Sequence, residues 1–243
     1  MKYLSTVRSW SYVMAMVAVM MCGTVSTIAY AAQEQNKEGE QMSRVQTAEK
    51  NRQKFLGERQ SLLMESDTDL AIIKERLLYG EIAERGTLND RQRMLITLVV
   101  LTTSQTLDDM KVQTEAALRI GLSPVEIKES LYQCAPYIGF PKTESALRLV
   151  NETFAEKGIT LPVESQATVT EESRFRDGLA AQKTIFGDSI DQMHAATSES
   201  QKDIMINYLS AFCFGDFYTR RSLDLKTREL LTFSIVSTLG GCE

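Results

Sequence analysis

The chain of 243 residues is short of glycine, proline and histidine: it has 13 glycines, four prolines and one histidine. Strands need turns every few residues, and turns depend on glycine and proline, so this scarcity favours long helices. The chain also lacks an excess of basic residues, since its formal net charge is −5. An acidic chain without a basic patch excludes nucleic acid as a partner and argues against binding to anionic lipid.

Residues 1–31 are predicted to form a secretory signal peptide. Lys2 and Arg8 supply a positive start, the run from Ser9 to Gln33 is uncharged, and the stretch closes with small residues at Ala29-Tyr30-Ala31. We therefore expect an exported protein, periplasmic or secreted, without stable membrane insertion after the leader is cleaved. The alternative is an uncleaved anchor, because the uncharged run is long enough to span a bilayer.

The chain resembles itself at an offset of 135 positions, at which Tyr79–Ile82 falls on Phe214–Phe217. The identical pairs that follow without a gap are Arg85 with Arg220, Leu88 with Leu223, Arg93 with Arg228, Leu95 with Leu230 and Thr97 with Thr232. Two similar helix starts would explain the apolar pairs but not the shared glycine and arginines, so we predict a duplicated unit. The predicted organisation is a polar tether (32–54), a first unit (55–157), a linker (158–172) and a second unit (173–243).

Local patterns predict that both units are helical. Asn89 and Asp224 each precede a largely apolar run and are suited to cap the free N–H groups at a helix start. The run from Met94 to Leu101 exceeds the usual length of a strand and contains no glycine or proline, which favours a central buried helix. Ser123-Pro124-Val125-Glu126 combines a capping residue, a first-turn proline and a glutamate three residues after the cap, which predicts another helix start.

Three segments resemble the carboxymuconolactone decarboxylase family, which includes the alkylhydroperoxidase D proteins. They are Leu223–Leu230, similar to the start of the family's central helix, Ala117–Ile127, similar to its helix–glycine–helix joint, and Tyr137–Pro141, similar to the corner before its closing helix. The resemblance implies an all-α fold of tandem carboxymuconolactone decarboxylase/alkylhydroperoxidase D-like helical units. It also implies a small-molecule substrate, a homo-oligomer (trimer or hexamer), no metal and no organic cofactor.

The resemblance also indicates the candidate catalytic residues. Peroxidase members of the family use a glutamate, a C-x-x-C pair and a histidine, and Glu229 and Cys242 occupy the positions of the glutamate and the first cysteine. The positions of the second cysteine and the histidine lie beyond Glu243, so we expect the second unit to be incomplete at its C-terminus, as a truncated product or a fragment. In the first unit Met94 stands where Glu229 stands, and residues 107–113 include no cysteine or histidine, which predicts a degenerate site.

Each candidate has a plainer interpretation beside the catalytic one. Glu229 also fits a first-turn glutamate that the helix dipole favours, and Cys242 has no neighbouring histidine or second cysteine to activate it. Cys134 and Cys213 lie among apolar residues and are predicted to be buried structural thiols. His194 lies in a polar stretch and is predicted to be a surface residue rather than a metal ligand or a catalytic group.

Arg85 and Arg220 recur at equivalent positions of the two predicted units. They are suited to bind a substrate carboxylate, but pairing with Glu81 and Asp216, one helical turn earlier, is the simpler interpretation.

Two classes of function remain open. One is an exported enzyme of this family that acts on a small organic acid or lactone, or as a thiol peroxidase. The alternative is a non-catalytic exported scaffold or ligand-binding protein that keeps the fold with a lost or truncated active site.

Overall fold

Helices make up all the regular secondary structure of residues 42–241, the part of the chain that this computed structural model describes. No strand occurs within these residues, which confirms the predicted all-α class. The predicted signal peptide and Cys242 lie outside the described residues.

The α-helices are numbered here in chain order. They are α1 (Arg44–Leu56), α2 (Leu63–Ser66), α3 (Thr68–Glu75), α4 (Asp90–Ser104), α5 (Met110–Arg119), α6 (Pro124–Tyr132), α7 (Ala135–Ile138), α8 (Phe140–Glu156), α9 (Arg174–Phe186), α10 (Ser189–Ala196) and α11 (Leu225–Leu239). Two segments have π-helical hydrogen bonding, π1 (Arg76–Glu81) and π2 (Ile204–Tyr218). Short 3-10 turns cover Ile82–Glu84, Leu107–Asp109 and Glu199–Gln201.

Helix α4 is the predicted central helix, and its start is fixed by a reciprocal cap. The Gln92 backbone N–H donates to Asn89 Oδ1 (2.9 Å), while the Asn89 N–H donates to Gln92 Oε1 (3.0 Å). Two N–H groups that the helix itself leaves unpaired are satisfied in this way. Leu98 and Val99 on α4 are fully buried, and each contributes roughly 1.5–3 kcal/mol to folding.

The main core is formed where α5, α6, α8 and α11 pack around α4. Its fully buried members include Met110, Ile127, Leu131, Phe154, Leu231 and Ile235. Helix α11 lies against α4, and the two helices have the same length with bounds that are 135 positions apart. Because α4 covers only one side of α11, Phe233 remains 68% exposed and Leu239 48% exposed.

Two helix pairs at equivalent positions are built alike. Helix α1 packs against π1, and α9 packs against π2. Arg44 Nη1 donates to Glu81 Oε1 across the first pair (2.7 Å), and Arg174 Nε donates to Asp216 Oδ1 across the second (3.0 Å). Each ion pair therefore links the first residue of an α-helix to an acidic residue of the π-helical segment beside it.

Glycine is required where each of these pairs makes its closest approach. A Cβ atom on Gly80 would lie 2.5 Å from the backbone oxygen of Arg44, and one on Gly215 would collide with the backbone oxygen of Arg174. Only glycine leaves room for such contact between two backbones. The shared glycine of the sequence repeat thus has the same steric role in both places.

The predicted polar tether ends earlier than expected, because residues 44–54 belong to α1. This prediction was wrong since the helix docks through polar groups as well as apolar ones. Asn51 Nδ2 donates to the Tyr79 backbone oxygen (2.8 Å) and to Glu84 Oε1 (2.7 Å). Ala48 and Phe55 supply the buried apolar contacts. A helix whose buried polar atoms are hydrogen-bonded does not need a continuous apolar stripe.

Residues 158–172, the predicted linker, contain no helix or strand. The segment is held to the end of π2, because Thr168 Oγ1 donates to the Thr219 backbone oxygen (2.9 Å) and the Arg221 N–H donates to the Gln166 backbone oxygen (3.0 Å). Among residues 42–241, no helix has the length and apolar character needed to cross a bilayer.

Candidate active site

Glu229 lies on α11, whose start is fixed by Asp224. The Thr227 N–H donates to Asp224 Oδ1 (2.7 Å), and this bond lowers the pKa of Asp224. The helix then places Glu229 and Thr232 one turn apart on the same face. Glu229 is half-buried, and its Oε1 atom is buried without a hydrogen-bond partner within residues 42–241. An unpartnered buried carboxylate oxygen costs free energy, so this group stands out as available for a ligand.

Three hydroxyl groups meet beside Glu229, and we call them the hydroxyl triad: Tyr137, Tyr218 and Thr232. The phenol oxygens of Tyr137 and Tyr218 are 3.0 Å apart, and Tyr218 Oη lies 2.7 Å from Thr232 Oγ1. The Thr232 hydroxyl lies 3.2 Å from Tyr137 Oη and also accepts a hydrogen bond from Gln133 Nε2 (3.2 Å). The triad therefore joins α7, π2 and α11 at one point.

The phenols of the triad are held in their neutral form. Burial raises the pKa of Tyr218, and the neighbouring Tyr137 and Glu229 raise it further. Burial likewise raises the pKa of Tyr137. A phenol that keeps its proton remains a hydrogen-bond donor at any physiological pH, which suits it to stabilise negative charge on a ligand oxygen.

A buried ion cluster supports the site from the side of α6. Glu129 is almost fully buried and receives both Nε and Nη2 of Arg220, at 2.8–3.0 Å. Arg228 Nη2 donates to Glu129 Oε2 (3.1 Å), and Arg228 Nη1 donates to Gln133 Oε1 (3.0 Å). Burial lowers the pKa of Arg228, and the Glu129 carboxylate opposes this effect. The cluster therefore holds Arg228, the residue that precedes Glu229 in the sequence, in place.

The predicted local pairing of Arg85 and Arg220 was wrong. Arg220 pairs with Glu129, while the acidic residues Glu81 and Asp216 pair with arginines of α1 and α9. The reason is local geometry, because the π-helical segments end between the two members of each predicted pair and the i, i+4 relationship is lost.

The described cysteines are buried, as predicted. Burial raises the pKa of Cys134 to about 12 and that of Cys213 to about 11, where the Glu229 carboxylate adds to the rise. Both groups are therefore thiols rather than reactive thiolates at neutral pH. Of the two candidate catalytic residues, the structure places Glu229 beside the hydroxyl triad, whereas Cys242 lies outside the described residues.

His194 is partly buried rather than on the surface. Its Nε2 atom lies 3.2 Å from Ser210 Oγ, and its ring packs edge-on against Phe175 with 6.5 Å between the centroids. The prediction of a surface position failed because π2 covers a stretch that is polar in sequence. Within residues 42–241, no group of three or more histidine, cysteine or acidic side chains is arranged to hold a metal ion.

The first predicted unit has an apolar cleft at the equivalent place. The cleft has a volume of about 350 Å³ and is lined by Phe55, Leu78, Tyr79, Ile82, Ala83, Leu88, Arg93, Met94, Ile96, Thr97 and Gln113. Met94 and Thr97 correspond in sequence to Glu229 and Thr232, so the cleft keeps the threonine and replaces the carboxylate by a thioether. The lining of this cleft contains no carboxylate, thiol or imidazole.

Sequence reasoning missed most of the residues around Glu229. Tyr137 belongs to the corner segment that carries the family resemblance, but its hydroxyl was given no role. Glu129 lies between Ile127 and Leu131, which are buried in the core, and a charged residue at such a position of a helix indicates a buried partner. The sequence therefore indicates that Glu129 has a buried partner, but it does not identify the cation.

Comparison with known proteins supports the assignment of the fold. The model of the carboxymuconolactone decarboxylase family matches residues 73–152, which run from the end of α3 into α8 and include every lining residue of the apolar cleft except Phe55. The 4-carboxymuconolactone decarboxylase of Acinetobacter baylyi is 30% identical over 84 residues, which are 35% of this chain and 63% of that relative. Over residues 73–152 the chain is therefore similar to the carboxymuconolactone decarboxylase family. Glu229 lies outside residues 73–152.

Proposed function

We propose that the chain is a lyase of the decarboxylase type, in which Glu229 transfers a proton during the loss of CO2 from a small carboxylated lactone. The observation that carries this proposal is the buried, unpartnered Glu229 Oε1 beside the neutral hydroxyl of Tyr218. A carboxyl group in such surroundings is suited to general acid–base catalysis.

The proposed step balances with the groups at hand. Loss of CO2 breaks a carbon–carbon bond and leaves the electron pair on the carbon that carried the carboxylate, where a proton must be added. Glu229 takes this proton from water and passes it to the carbon, so that its carboxylate is restored at the end of each turnover. A hydroxyl of the triad donates a hydrogen bond to the substrate oxygen on which negative charge develops, so no cofactor is required.

The relative from Acinetobacter baylyi supports the choice of substrate class, since its name specifies decarboxylation of 4-carboxymuconolactone. The matching segment spans 63% of that relative, so both the reaction and the substrate are proposals for this chain.

We also propose that the chain contains two copies of one unit, 55–157 and 173–243. The equal lengths of α4 and α11, the two ion pairs Arg44–Glu81 and Arg174–Asp216, and the matched glycines support this duplication. The family match lies on the first unit, where Met94 stands at the position equivalent to Glu229. Glu229 is therefore assigned to the family's glutamate position through the duplication.

A thiol peroxidase draws less support from the site. Such an enzyme needs an accessible thiolate, whereas burial raises the pKa of Cys134 to about 12 and that of Cys213 to about 11. The peroxidase would therefore depend on Cys242, which lies outside the described residues. The non-catalytic alternative is favoured by one observation, the replacement of the glutamate by Met94 in the apolar cleft. In that alternative the fold serves assembly or ligand binding alone.

Export and self-assembly complete the proposal. Lys2, Arg8 and the Ala29-Tyr30-Ala31 exit support cleavage of a leader after Ala31. The exposed Phe233 and Leu239 on α11 support a homo-oligomer, because apolar side chains of this size on one helix favour burial against another subunit.

The proposed reaction is tested by two assays run in parallel on the purified chain. One follows CO2 release from 4-carboxymuconolactone, and the other follows peroxide consumption in the presence of a dithiol. We expect CO2 release without peroxide reduction. Peroxide reduction alone would support the thiol peroxidase. If neither activity is detected and the circular dichroism spectrum is still helical, the result would support the non-catalytic scaffold.

A further inference from the structure

The side chain of Gln133 joins the buried ion cluster to the hydroxyl triad, and it is itself fully buried. Its Oε1 atom accepts a hydrogen bond from Arg228 Nη1 (3.0 Å), and its Nε2 atom donates to Thr232 Oγ1 (3.2 Å). A guanidinium group carries donors alone, so the amide oxygen has to face Arg228 and the amide nitrogen has to face Thr232. The arginine therefore fixes the orientation of the amide.

The Gln133 amide limits what the Thr232 hydroxyl can accept. A hydroxyl group has one hydrogen and two lone pairs, and the amide hydrogen occupies one of the lone pairs. The hydrogen of Thr232 goes to Tyr137 Oη (3.2 Å), because the group of Gln133 that faces it is a donor. One lone pair is left for the 2.7 Å contact with Tyr218 Oη. Thr232 can therefore accept from only one of the two phenols, and one phenol hydrogen of the triad stays available for the other phenol or for a ligand.

The charges around Gln133 favour the same direction of donation. Within residues 42–241, Arg220 and Arg228 share the carboxylate of Glu129, so the ion cluster retains one positive charge. The carboxylate of Glu229 lies beside the triad, at the far end of this chain of hydrogen bonds. Donors that point from the cluster to the triad are aligned with the field of these two charges, and each hydrogen bond strengthens the next through polarisation. The reverse order would place every dipole against that field.

We infer that Gln133 is a positioning residue, which stops Thr232 from binding both phenol hydrogens and so keeps one of them for the ligand oxygen on which negative charge develops. Without this donor, Thr232 would give its hydrogen to position 133 and accept from Tyr137 and Tyr218 together, which leaves the ligand no hydrogen. The role of this hydrogen in turnover rests on the proposed lyase function. The direction of donation is a property of the folded chain and is measured without substrate.

The substitution Gln133→Glu reverses the direction of donation with little change in shape. The new carboxylate accepts from Arg228 and also from Thr232, and its charge is compensated by the positive charge that the ion cluster retains. The Thr232 hydrogen then points to position 133, and both phenols turn their hydrogens to Thr232. Tyr137 thus changes from a group that accepts from Thr232 into one that donates to it.

This change is measured by carbon NMR on the full chain, with tyrosine isotopically labelled at Cζ. The resonances of Tyr137 and Tyr218 are assigned by their loss in Tyr137→Phe and Tyr218→Phe. A phenol that stops accepting a hydrogen bond and only donates has its Cζ resonance shifted downfield. We therefore expect the Tyr137 resonance to move downfield in Gln133→Glu.

Two further variants test whether the effect passes through the Thr232 hydroxyl. Thr232→Val removes the donor to Tyr137, so it should by itself move the Tyr137 resonance downfield, and Gln133→Glu should add no further shift in that background. Thr232→Ser keeps the hydroxyl and should restore the response. Gln182→Glu is the matched control, since it alters a buried glutamine that accepts a hydrogen bond from Ser210 outside the site, and it should leave both resonances in place.

Turnover then tests what the phenol hydrogen does. The kcat for CO2 release from 4-carboxymuconolactone should fall roughly 10²-fold in Gln133→Glu with KM nearly unchanged, as expected when a donor to the transition state is lost. The inference is overturned if Gln133→Glu leaves the Tyr137 resonance in place, if its shift persists in Thr232→Val, or if kcat is unchanged while the resonance moves. If Gln133→Glu does not fold, an unmoved Tyr137 resonance in Thr232→Val overturns it. An unaltered chain that releases no CO2, together with the expected shifts in the variants, refutes the lyase proposal alone.

Discussion

Arg228 and Glu129 form an ion pair in which both side chains are buried, with 0% and 2% of their surface exposed and 3.1 Å between Nη2 and Oε2. The two residues are 99 positions apart, and their contact joins α11 to α6. Arg220 adds a second cation to the same carboxylate, so Glu129 holds two elements of the second predicted unit against the first.

Glu129→Gln should lower the free energy of unfolding by about 3 kcal/mol, because it leaves two arginines, one of them fully buried, without a counter-charge. Urea denaturation measures the change. Glu152→Gln removes a carboxylate that is 41% exposed and paired with Lys111 and Arg148, and it should cost less than about 1 kcal/mol. Equal losses in the two variants would contradict the role given to Glu129.

The buried tyrosines predict that the chain loses stability at high pH. Burial raises the pKa of Tyr79 to about 12 and raises those of Tyr137 and Tyr218 as well, against about 10 in the unfolded chain. Below pH 10 these tyrosines are protonated in both the folded and the unfolded chain, so their contribution to the free energy of unfolding is fully present. Above it the unfolded chain releases protons that the folded chain keeps, so the free energy of unfolding falls by up to about 1.4 kcal/mol per pH unit for each tyrosine.

Urea titrations between pH 8 and pH 11 measure this slope. Tyr137→Phe should make it shallower, since one of the raised groups is removed, while lowering stability at pH 8 by about 1 kcal/mol through the lost hydrogen bonds. Tyr208, which is 61% exposed, provides the control, and Tyr208→Phe should leave the slope as it is. A slope that is unchanged in Tyr137→Phe would count against a buried, protonated triad.

The raised pKa values of Cys134 and Cys213 predict two unreactive thiols. In a variant with Cys22→Ser and Cys242→Ser, so that only these two thiols remain, we expect little alkylation by iodoacetamide at pH 8 in the folded state. Both should react promptly in urea, as followed by mass spectrometry. Fast labelling of Cys213 in the folded chain would contradict this prediction and would support the thiol peroxidase as the function.

Much of the fold could be predicted because its helix starts are encoded locally. The caps Asn89, Ser123 and Asp224 each accept a hydrogen bond from an N–H three residues later, which a short sequence pattern is enough to indicate. Helix α1 escaped prediction because its docking depends on Asn51, whose partners Tyr79 and Glu84 are about thirty positions away. A pattern confined to one segment carries no information on such partners.

Of the residues that form the candidate site around the hydroxyl triad, only Glu229 could be predicted from the sequence. Glu229 came from family resemblance, whereas Tyr137 and Tyr218 are 81 positions apart, and Arg220 and Glu129 are 91 positions apart. These contacts are produced by the packing of the two predicted units on each other. Local chemistry instead favoured pairing within one turn, which the π-helical geometry of π1 and π2 prevents.

The central claim is that Glu229 transfers the proton, and kcat/KM for CO2 release from 4-carboxymuconolactone by Glu229→Gln tests it most directly. We expect a loss of roughly 10²–10⁴-fold relative to the unaltered chain, with partial recovery in Glu229→Asp and no change in Glu199→Gln, an exposed control. The circular dichroism spectrum should be the same in all four proteins. Turnover by Glu229→Gln within a few fold of the unaltered chain would contradict the account.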